Sequence, residues 1–239
     1  FNKDNDLNGK PRIVSIRLEE IQKQLGTQHV LRGVDLDIFS GETMVLIGAS
    51  GGGKSVILKH ITGLMRPDSG RVIIGKQDIS QLNEKGLAVI RQKVGVLFQN
   101  GALFDSMSVG QNVAFPLRER GEKNITTLTE KVTEALRLVG LEEHINKMPN
   151  ALSGGMRKRV ALARAMIAKP ESILYDEPTA GLDPVSTGSI DSLIIQMQKD
   201  YGITSVVVTH DMKSARTIAD RIAFLRKGSV YFCGTPEEM

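Results

Sequence analysis

The stretch GASGGGKS, residues 48–55, separates two apolar segments that differ in periodicity. Before it, Met44–Ile47 is continuously apolar, as expected for a strand that is buried on both faces. After it, Ile57, Leu58 and Ile61 recur at helical spacing. A glycine-rich turn that ends in Lys-Ser between a buried strand and a helix matches the pattern G-x-x-x-x-G-K-[ST], which predicts a phosphate-binding loop.

The residue types of this loop fit the binding of a nucleotide. Glycines allow backbone N–H groups to converge on a phosphate, and the following helix presents the positive end of its dipole to the same anion. We expect Lys54 to lie against the β- and γ-phosphates and the Ser55 hydroxyl to coordinate Mg²⁺. A flexible glycine-rich turn is the alternative, but it would need neither the lysine nor the hydroxyl. The predicted nucleotide-binding residues are Gly48, Ser50, Gly51, Gly52, Gly53, Lys54, Ser55 and Val56.

Two carboxylates follow another predicted strand. Asp176 and Glu177 come directly after the apolar Ile173–Tyr175. The carboxyl ends of parallel strands are where α/β folds bind their ligands. We therefore expect Asp176 to bind Mg²⁺ and Glu177 to activate the attacking water.

Two more polar residues follow strands in the same way. His210 comes directly after Thr204–Thr209, where its side chain can reach a γ-phosphate. Gln99 comes directly after Val94–Phe98, and its amide can contact both the metal and the water. The predicted catalytic residues are Glu177, His210 and Gln99, and the predicted metal ligands are Ser55, Gln99 and Asp176.

Strand and helix patterns alternate along the chain with one interruption. Val34–Ile38 alternates apolar and acidic residues, which favours an antiparallel strand with one exposed face. Between Gln99 and Val160 the pattern is helical, and the β/α alternation then resumes, which predicts a largely parallel sheet flanked by helices. We predict one domain over residues 1–239, with residues 1–98 and 161–239 as its core and residues 99–160 as an inserted helical subdomain.

Composition favours a folded protein but does not identify its partners. The 239 residues suit one large α/β domain, and 31 basic against 27 acidic residues give a net charge of +4. Aromatic residues make up only 4% and include no Trp, so the stacking side chains typical of nucleic-acid binding are scarce. The single cysteine, Cys233, cannot form an intramolecular disulfide, which fits a reducing compartment.

No targeting or membrane-spanning pattern stands out. The most apolar stretches have the length of strands, whereas a membrane span needs about 20 apolar residues. We therefore expect a cytoplasmic chain that does not cross a bilayer by itself. The first residue is Phe1 rather than Met, from which we expect the natural N-terminus to lie further upstream.

The segment LSGGM, residues 152–156, precedes a helical pattern that stops before Pro170. Ser153 is a natural N-cap, and the glycines leave room for a phosphate to approach. Ser153 lies 23 residues before Asp176. At this point the chain closely resembles the ATP-binding cassette (ABC) ATPase family over nearly its whole length, through six motifs in the family's order: residues 48–55, Gln99, residues 152–156, Asp176 with Glu177, Ala180–Asp183, and His210.

The resemblance implies a fold, a cofactor and a partner. The fold is an α/β P-loop NTPase (RecA-like) core with an N-terminal antiparallel β subdomain and an inserted α-helical subdomain. Two copies of the chain form a homodimer that encloses ATP and Mg²⁺ between the phosphate loop of one subunit and Ser153 and Gly155 of the other, and Gly154 belongs to the same nucleotide-binding set. Asp183 also belongs to the nucleotide-binding set, and hydrolysis at Glu177 lets the dimer open.

A closer resemblance comes from three details. Met156 stands where most members carry Gln, residues 102–106 read ALFDS and are followed by Asn112–Leu117, and residues 156–164 read MRKRVALAR. These details resemble the ATPase of the Mla/Mce-type bacterial phospholipid transport systems. They imply a permease of the MlaE type and an MCE-domain lipid-binding protein as partners, on the cytoplasmic face of the inner membrane, and no nucleic acid.

Three alternatives stay open. The first is an ABC importer or exporter ATPase for another substrate. The second is a soluble ABC ATPase of translation or DNA repair, although this chain has one nucleotide-binding unit and no sustained heptads. The third is a nucleotide-binding regulator that no longer hydrolyses, against which the intact Glu177 and His210 argue.

One position departs from the family pattern. Family members place an aromatic ring upstream of the phosphate loop to stack on adenine, whereas the matching position here is Leu25. An aliphatic side chain has no π-face, so we expect weak discrimination between ATP and GTP.

Residues 101–109 are predicted to form a surface loop with apolar side chains, because Gly101 begins the segment and Leu103, Phe104, Met107 and Val109 lie within it. Two interpretations are open. Leu103 and Phe104 anchor the helical subdomain, or the segment forms a groove that receives a short helix of a permease.

Overall fold

The computed structural model describes residues 12–239, so residues 1–11 of the predicted domain lie outside the described range. None of the helices within residues 12–239 combines the length and apolarity needed to span a membrane. In chain order the strands are β1 (Val14–Leu25), β2 (Gln28–Phe39), β3 (Thr43–Gly48), β4 (Ser69–Ile74), β5 (Gln77–Asp78), β6 (Val94–Leu97), β7 (Ser172–Asp176), β8 (Thr204–Val208), β9 (Arg221–Arg226) and β10 (Ser229–Gly234). The α-helices are α1 (Lys54–Ile61), α2 (Glu84–Arg91), α3 (Val109–Glu119), α4 (Ile125–Leu138), α5 (Gly154–Met166), α6 (Pro184–Tyr201) and α7 (Met212–Ile218).

The central sheet is the predicted parallel sheet. Its six strands lie in the order β10-β9-β3-β8-β7-β6, and neighbours run parallel except for β10 and β9. Nearly every residue of β3, β7 and β8 is buried, since helices and a second sheet cover the two faces, and this explains their continuous apolar sequences. The parallel order brings the carboxyl ends of β3, β6, β7 and β8 to one edge.

A second, antiparallel sheet has the strand order β2-β1-β4-β5. Its strand β2 confirms the predicted alternation, because Val34, Leu36 and Ile38 are buried. The sequence pattern did not reveal its partner β1. In β1 the pairing shifts between Leu18 and Ile21, and the φ of Glu20 is +47°, so a bulge interrupts the alternation of buried and exposed side chains.

The inserted segment consists mainly of α3, α4 and α5, which pack against one another. Their apolar side chains belong to the same hydrophobic core as one face of the central sheet. Helix α5 runs without interruption through residue 160 and also packs on β6. The predicted boundary at residue 160 thus falls inside a helix, and the division into core and subdomain stays a prediction.

Candidate functional site

The phosphate loop connects β3 to α1 and folds around its lysine. Nζ of Lys54 donates hydrogen bonds to the carbonyl oxygens of Gly48 and Ala49, at 2.8 and 3.0 Å, and the side chain is buried. Gly53 has a φ of +98°, and a Cβ there would lie 2.6 Å from Cδ2 of Leu31. Only glycine therefore fits where the loop passes β2. The ammonium group is held across the loop, beside the backbone that precedes α1.

The predicted metal ligands Ser55 and Asp176 are neighbours. Oγ of Ser55 donates a hydrogen bond of 3.1 Å to Oδ1 of Asp176, although 121 positions separate them in the chain. Burial raises the pKa of Asp176 above its ordinary value, and the cations of Lys59 and Lys54 oppose that rise. A hydroxyl and a carboxylate side by side are ligands that suit Mg²⁺, which takes few protein ligands and completes its shell with phosphate oxygens and water.

No cluster of three or more His, Cys, Asp or Glu residues within residues 12–239 could hold a metal ion by itself. The hydroxyl of Ser55 and the carboxylate of Asp176 fit an ion whose remaining ligands are the oxygens of a phosphate-bearing ligand and water. This is the mode of Mg²⁺ binding in nucleotide sites.

Glu177 and His210 form a pair at the same edge of the sheet. Nδ1 of His210 lies 2.8 Å from Oε2 of Glu177, so the imidazole donates its Nδ1 proton to the carboxylate. The Glu177 side chain is 16% exposed and that of His210 is 72% exposed. The φ of Glu177 is +51°, in the left-handed region, which costs a residue with a side chain about 1–3 kcal/mol. Strain of this kind is often found at active sites.

The groups predicted from separate motifs line one cleft of about 680 Å³. Gln99, Asp176, Glu177 and His210 border it together with the loop residues Gly48 and Ser50–Val56. Leu25 lines the same cleft, as its alignment with the family's aromatic position predicts, and is 41% exposed. Gln28, Val30 and Val208 also border the cleft. Sequence reasoning missed these three because only the folding of β2 and β8 brings them there.

Four further residues of the predicted nucleotide-binding set, Ser153, Gly154, Gly155 and Asp183, do not line this cleft. Ser153 caps α5, as predicted, by accepting a hydrogen bond of 3.2 Å from the N–H of Met156. Asp183 caps α6 by accepting hydrogen bonds from the N–H groups of Val185 and Ser186, both at 3.0 Å. Their contact with nucleotide stays a prediction, and for Ser153 it depends on a second copy of the chain.

Gly155 lies in the first turn of α5 and is buried against α6. A Cβ at this position would lie 3.0 Å from Oγ of Ser186 and 3.1 Å from its Cβ. The space beside Gly155 is therefore filled by Ser186, so close helix packing, rather than room for a phosphate, requires this glycine. Gly154 is only partly buried, and a Cβ there would make ordinary contact with Leu182 at 3.5 Å. Gly154 is thus the better placed of the two for the approach of a ligand.

The expectation of an apolar surface loop at residues 101–109 is wrong for two of its residues. Val109 is fully buried because α3 already begins there, and Leu103 packs against the main hydrophobic core. Phe104, in contrast, is 42% exposed, and its ring centroid lies 4.8 Å from that of Phe115. The anchoring interpretation therefore holds for Leu103, whereas Phe104 faces outwards.

Phe104 borders a second groove, of about 490 Å³, which we call the arginine groove. The loop that carries Phe104 is held by Arg164, which donates to the carbonyl oxygens of Gly101 and Ala102, both at 2.7 Å. The buried side chain of Asn112 bonds both the N–H and the carbonyl oxygen of Phe104. The groove combines aromatic rings and guanidinium groups; its lining includes Phe98, Phe104, Phe115, Arg91, Arg120 and Arg164.

Sequence reasoning also missed Lys158, a buried lysine of α5 that contacts the backbone directly after strand β7. Its Nζ donates hydrogen bonds to the carbonyl oxygens of Ala180, at 2.7 Å, and Glu177, at 3.3 Å. The only signal in the sequence is the run MRKR at residues 156–159, and nothing in that run indicates a contact with Glu177.

Comparisons with known proteins agree with this geometry. A family model described as "ABC transporter" matches residues 31–180. The "Probable ribonucleotide transport ATP-binding protein mkl" of Mycobacterium leprae is 45% identical over 223 residues, which cover 93% of this chain and 64% of that protein. The protein TRIGALACTOSYLDIACYLGLYCEROL 3, chloroplastic, of Arabidopsis thaliana is 40% identical over 242 residues, which cover 94% of this chain and 70% of that protein.

A solved structure is similar over almost its full length. It is a dimeric structure of an ATP-binding cassette in a post-hydrolysis state bound to ADP and Pi, with a TM-score of 0.85 and 34% identity. The match covers 92% of this chain and 98% of the other. The chain spans 64% of the length of the mycobacterial relative, so that relative also contains residues that this chain does not match.

Proposed function

Because the chain belongs to the ABC transporter family as one of its ATPase domains, which bind ATP with Mg²⁺, we propose that it hydrolyses ATP to power a bacterial transporter. The observation that carries this proposal is the single cleft in which Lys54, the Ser55–Asp176 pair and the Glu177–His210 pair meet. Phosphate release from MgATP by the purified chain tests it. A chain that binds MgATP without releasing phosphate would instead be the nucleotide-binding regulator.

Each group has one task in the proposed reaction. Lys54 and the N–H groups of the phosphate loop hold the β- and γ-phosphates in place. Mg²⁺, when bound by Ser55, Asp176 and Gln99, supplies positive charge that neutralises the phosphate oxygens. Glu177 accepts a proton from the attacking water. His210 orients that carboxylate through Nδ1, and it can donate to a γ-phosphate only when Nε2 is protonated as well.

The proposed homodimer would supply the groups that one cleft lacks. Ser153 is exposed at the N-terminus of α5, whose first N–H groups can bind an anion. We propose that Ser153, Gly154 and Gly155 of one copy close over the ATP of the other, with Asp183 at the same interface. In this arrangement Gly155 contributes through its backbone, since Ser186 occupies the space beside its Cα.

The proposed cargo is phospholipid. Met156 and the run MRKRVALAR support it, while the relative named for trigalactosyldiacylglycerol, a glycolipid, supports only the broader class of a lipid cargo. The name of the mycobacterial relative refers instead to ribonucleotide transport, so another cargo is the second candidate. Isolating the intact complex and identifying the lipid, nucleotide and proteins that co-purify distinguishes the two. A permease of the MlaE type and an MCE-domain protein, on the cytoplasmic face of the inner membrane, are the expected partners.

The arginine groove is the proposed docking site for a short helix of the permease. Its exposed rings suit apolar side chains, and its guanidinium groups suit acidic ones. Gln99 lies in the cleft and Phe104 in the groove, five residues apart, so movement of this segment would connect ATP hydrolysis to the membrane subunit. The proposal rests on this continuity of the segment between the two sites.

We expect Phe104→Glu to reduce co-purification with the permease by about tenfold, which corresponds to about 1.4 kcal/mol of binding free energy. The substitution removes one of the exposed rings of the groove, and its carboxylate would occupy the guanidinium groups that the acidic side chains of the docked helix would bind. ATP binding by the isolated chain should not change, because Phe104 lies outside the nucleotide cleft. Pull-down of the permease with each variant measures the effect.

Ile125→Glu is the matched control, since Ile125 is exposed at the start of α4 and does not line the groove. Normal assembly of the Phe104 variant would mean that the permease binds elsewhere. Leu103→Asp should instead unfold the chain, because it places a charge against the hydrophobic core.

Leu25→Tyr should sharpen the preference for ATP over GTP. A ring at this position can stack on the base, whereas an aliphatic side chain offers no π-face; the gain is about 0.5–1.5 kcal/mol. The exposed side chain at the cleft leaves room for the ring. Competition binding of the two nucleotides to both proteins is the measurement, and a strong ATP preference in the unmodified chain would contradict the expectation.

A further inference from the structure

Lys158 is a buried cation between two functional segments of the chain. It lies in α5, five residues after Ser153, and its side chain is only 5% exposed. A buried ammonium group persists when hydrogen-bond acceptors compensate for lost water. Here the acceptors are the carbonyl oxygens of Ala180 and Glu177. Burial lowers the pKa of Lys158, and the nearby Glu177 carboxylate opposes that shift.

The backbone that Lys158 contacts is the one that directs the Glu177 carboxylate. Glu177 adopts a left-handed φ, and three hydrogen bonds to its backbone N–H and carbonyl oxygen hold it there. Its N–H donates to the carbonyl oxygen of Val208 at 2.8 Å, and its own carbonyl oxygen accepts from the N–H of Ala180 at 3.2 Å as well as from Lys158. Strained backbone of this kind persists only where its surroundings impose it.

We propose that Lys158 is a positioning residue for ATP hydrolysis, which fixes the backbone of residues 177–180 and thereby the direction of the Glu177 side chain. The proposal rests on the hydrolysis proposed above. Through Lys158, the helix that begins at Ser153 is bonded to the segment that carries the general base of its own subunit. A displacement of α5 by a second subunit would therefore move Glu177.

The first test separates kcat from KM. Lys158→Met keeps the length of the side chain and removes the ammonium group. We expect kcat for ATP hydrolysis to fall by about 10²-fold, since a small misplacement of a catalytic group has effects of this size. KM and the Kd for ATP should stay within about twofold, because Lys158 does not touch the cleft.

Arg159→Met is the matched control. Arg159 is the next residue of α5, and its guanidinium donates to the carbonyl oxygen of Val139 at 3.0 Å, at the end of α4 and not at Glu177. Like Lys158→Met, the Arg159→Met substitution removes a long cationic side chain that bonds a backbone carbonyl. We expect this variant to hydrolyse ATP at close to the unmodified rate.

A second readout does not depend on hydrolysis. Hydrogen–deuterium exchange in the isolated chain should be faster over residues 176–182 in Lys158→Met than in the unmodified chain, because the Ala180 N–H bonds the same carbonyl as Lys158. Arg159→Met should leave this segment unchanged. If the unmodified chain releases no phosphate, the proposed function fails, while the exchange measurement still decides whether Lys158 holds the segment.

Lys158→Gln covers the case in which the methionine variant does not fold. Its amide keeps a donor on a shorter side chain, so it should melt closer to the unmodified temperature and show an intermediate kcat. Unchanged kcat and unchanged exchange in a folded Lys158 variant would overturn the proposal. An equal loss of kcat in Arg159→Met would do so as well. Failure of both Lys158 variants to fold would assign Lys158 to the stability of the core instead.

Discussion

Glu177→Gln is expected to lower kcat for ATP hydrolysis by about 10²–10⁴-fold, the range that general-base catalysis contributes. The amide keeps the shape of the side chain, and its oxygen can still accept the hydrogen bond from Nδ1 of His210. It cannot take a proton from water. Binding of MgATP should therefore persist while phosphate release slows by this factor, which calorimetry and a phosphate assay on the same preparation would measure.

Glu171→Gln is the control for this substitution. Glu171 precedes β7, at the end of the strand opposite to Glu177, and its exposed side chain pairs with Lys93 at 3.0 Å. The control substitution therefore removes the same negative charge at a distance from the cleft. Its hydrolysis rate should stay close to that of the unmodified chain. Near-normal turnover by Glu177→Gln would show that another group activates the water.

Lys54→Ala is expected to weaken ATP binding by about 2–5 kcal/mol, which is roughly a thirtyfold or larger increase in Kd. The ammonium group is the cation of the phosphate loop, and no other side chain of residues 48–55 carries a positive charge. The substitution also leaves the carbonyl oxygens of Gly48 and Ala49 without the donor that holds them. Titration with MgATP at constant ionic strength measures the loss.

Lys85→Ala removes an equal charge from the exposed start of α2 and should bind ATP normally. Thermal melting of both variants without nucleotide separates loss of binding from loss of folding. Equal affinity of the Lys54 variant and the unmodified chain would contradict the assignment of the phosphate loop.

Hydrogen bonds and apolar periodicity within short segments explain what could be predicted from the sequence. The phosphate loop needs glycine, lysine and serine at fixed spacing between a strand and a helix, and its φ values are set within eight residues. Ser153 could likewise be predicted as an N-cap, because the helix that it caps begins at the next residue. The buried strands β3, β7 and β8 could be predicted because their apolar runs have the length of strands and end at a glycine or a polar residue.

Bulged or weakly patterned strands were invisible to this reasoning. Strand β1 loses its alternation at Glu20, and β9 and β10 were not identified from the sequence. The apolar character of residues 101–109 was recognised, but which of them face outwards was not. Burial depends on where α3 begins, which the capping box of Ser108 and Gln111 signals, and on what packs against the segment, which no local pattern records.

By itself, then, the sequence determined the class of fold, the phosphate loop and the set of polar residues at the strand ends, because each follows from local backbone geometry. Only the tertiary structure decided how these residues meet. Ser55 bonds Asp176 across 121 positions, Lys158 of helix α5 reaches the backbone of Glu177, and Ser186 occupies the space beside Gly155. The neighbours of a side chain are set by the packing of segments that are distant in the chain, and no local pattern records them.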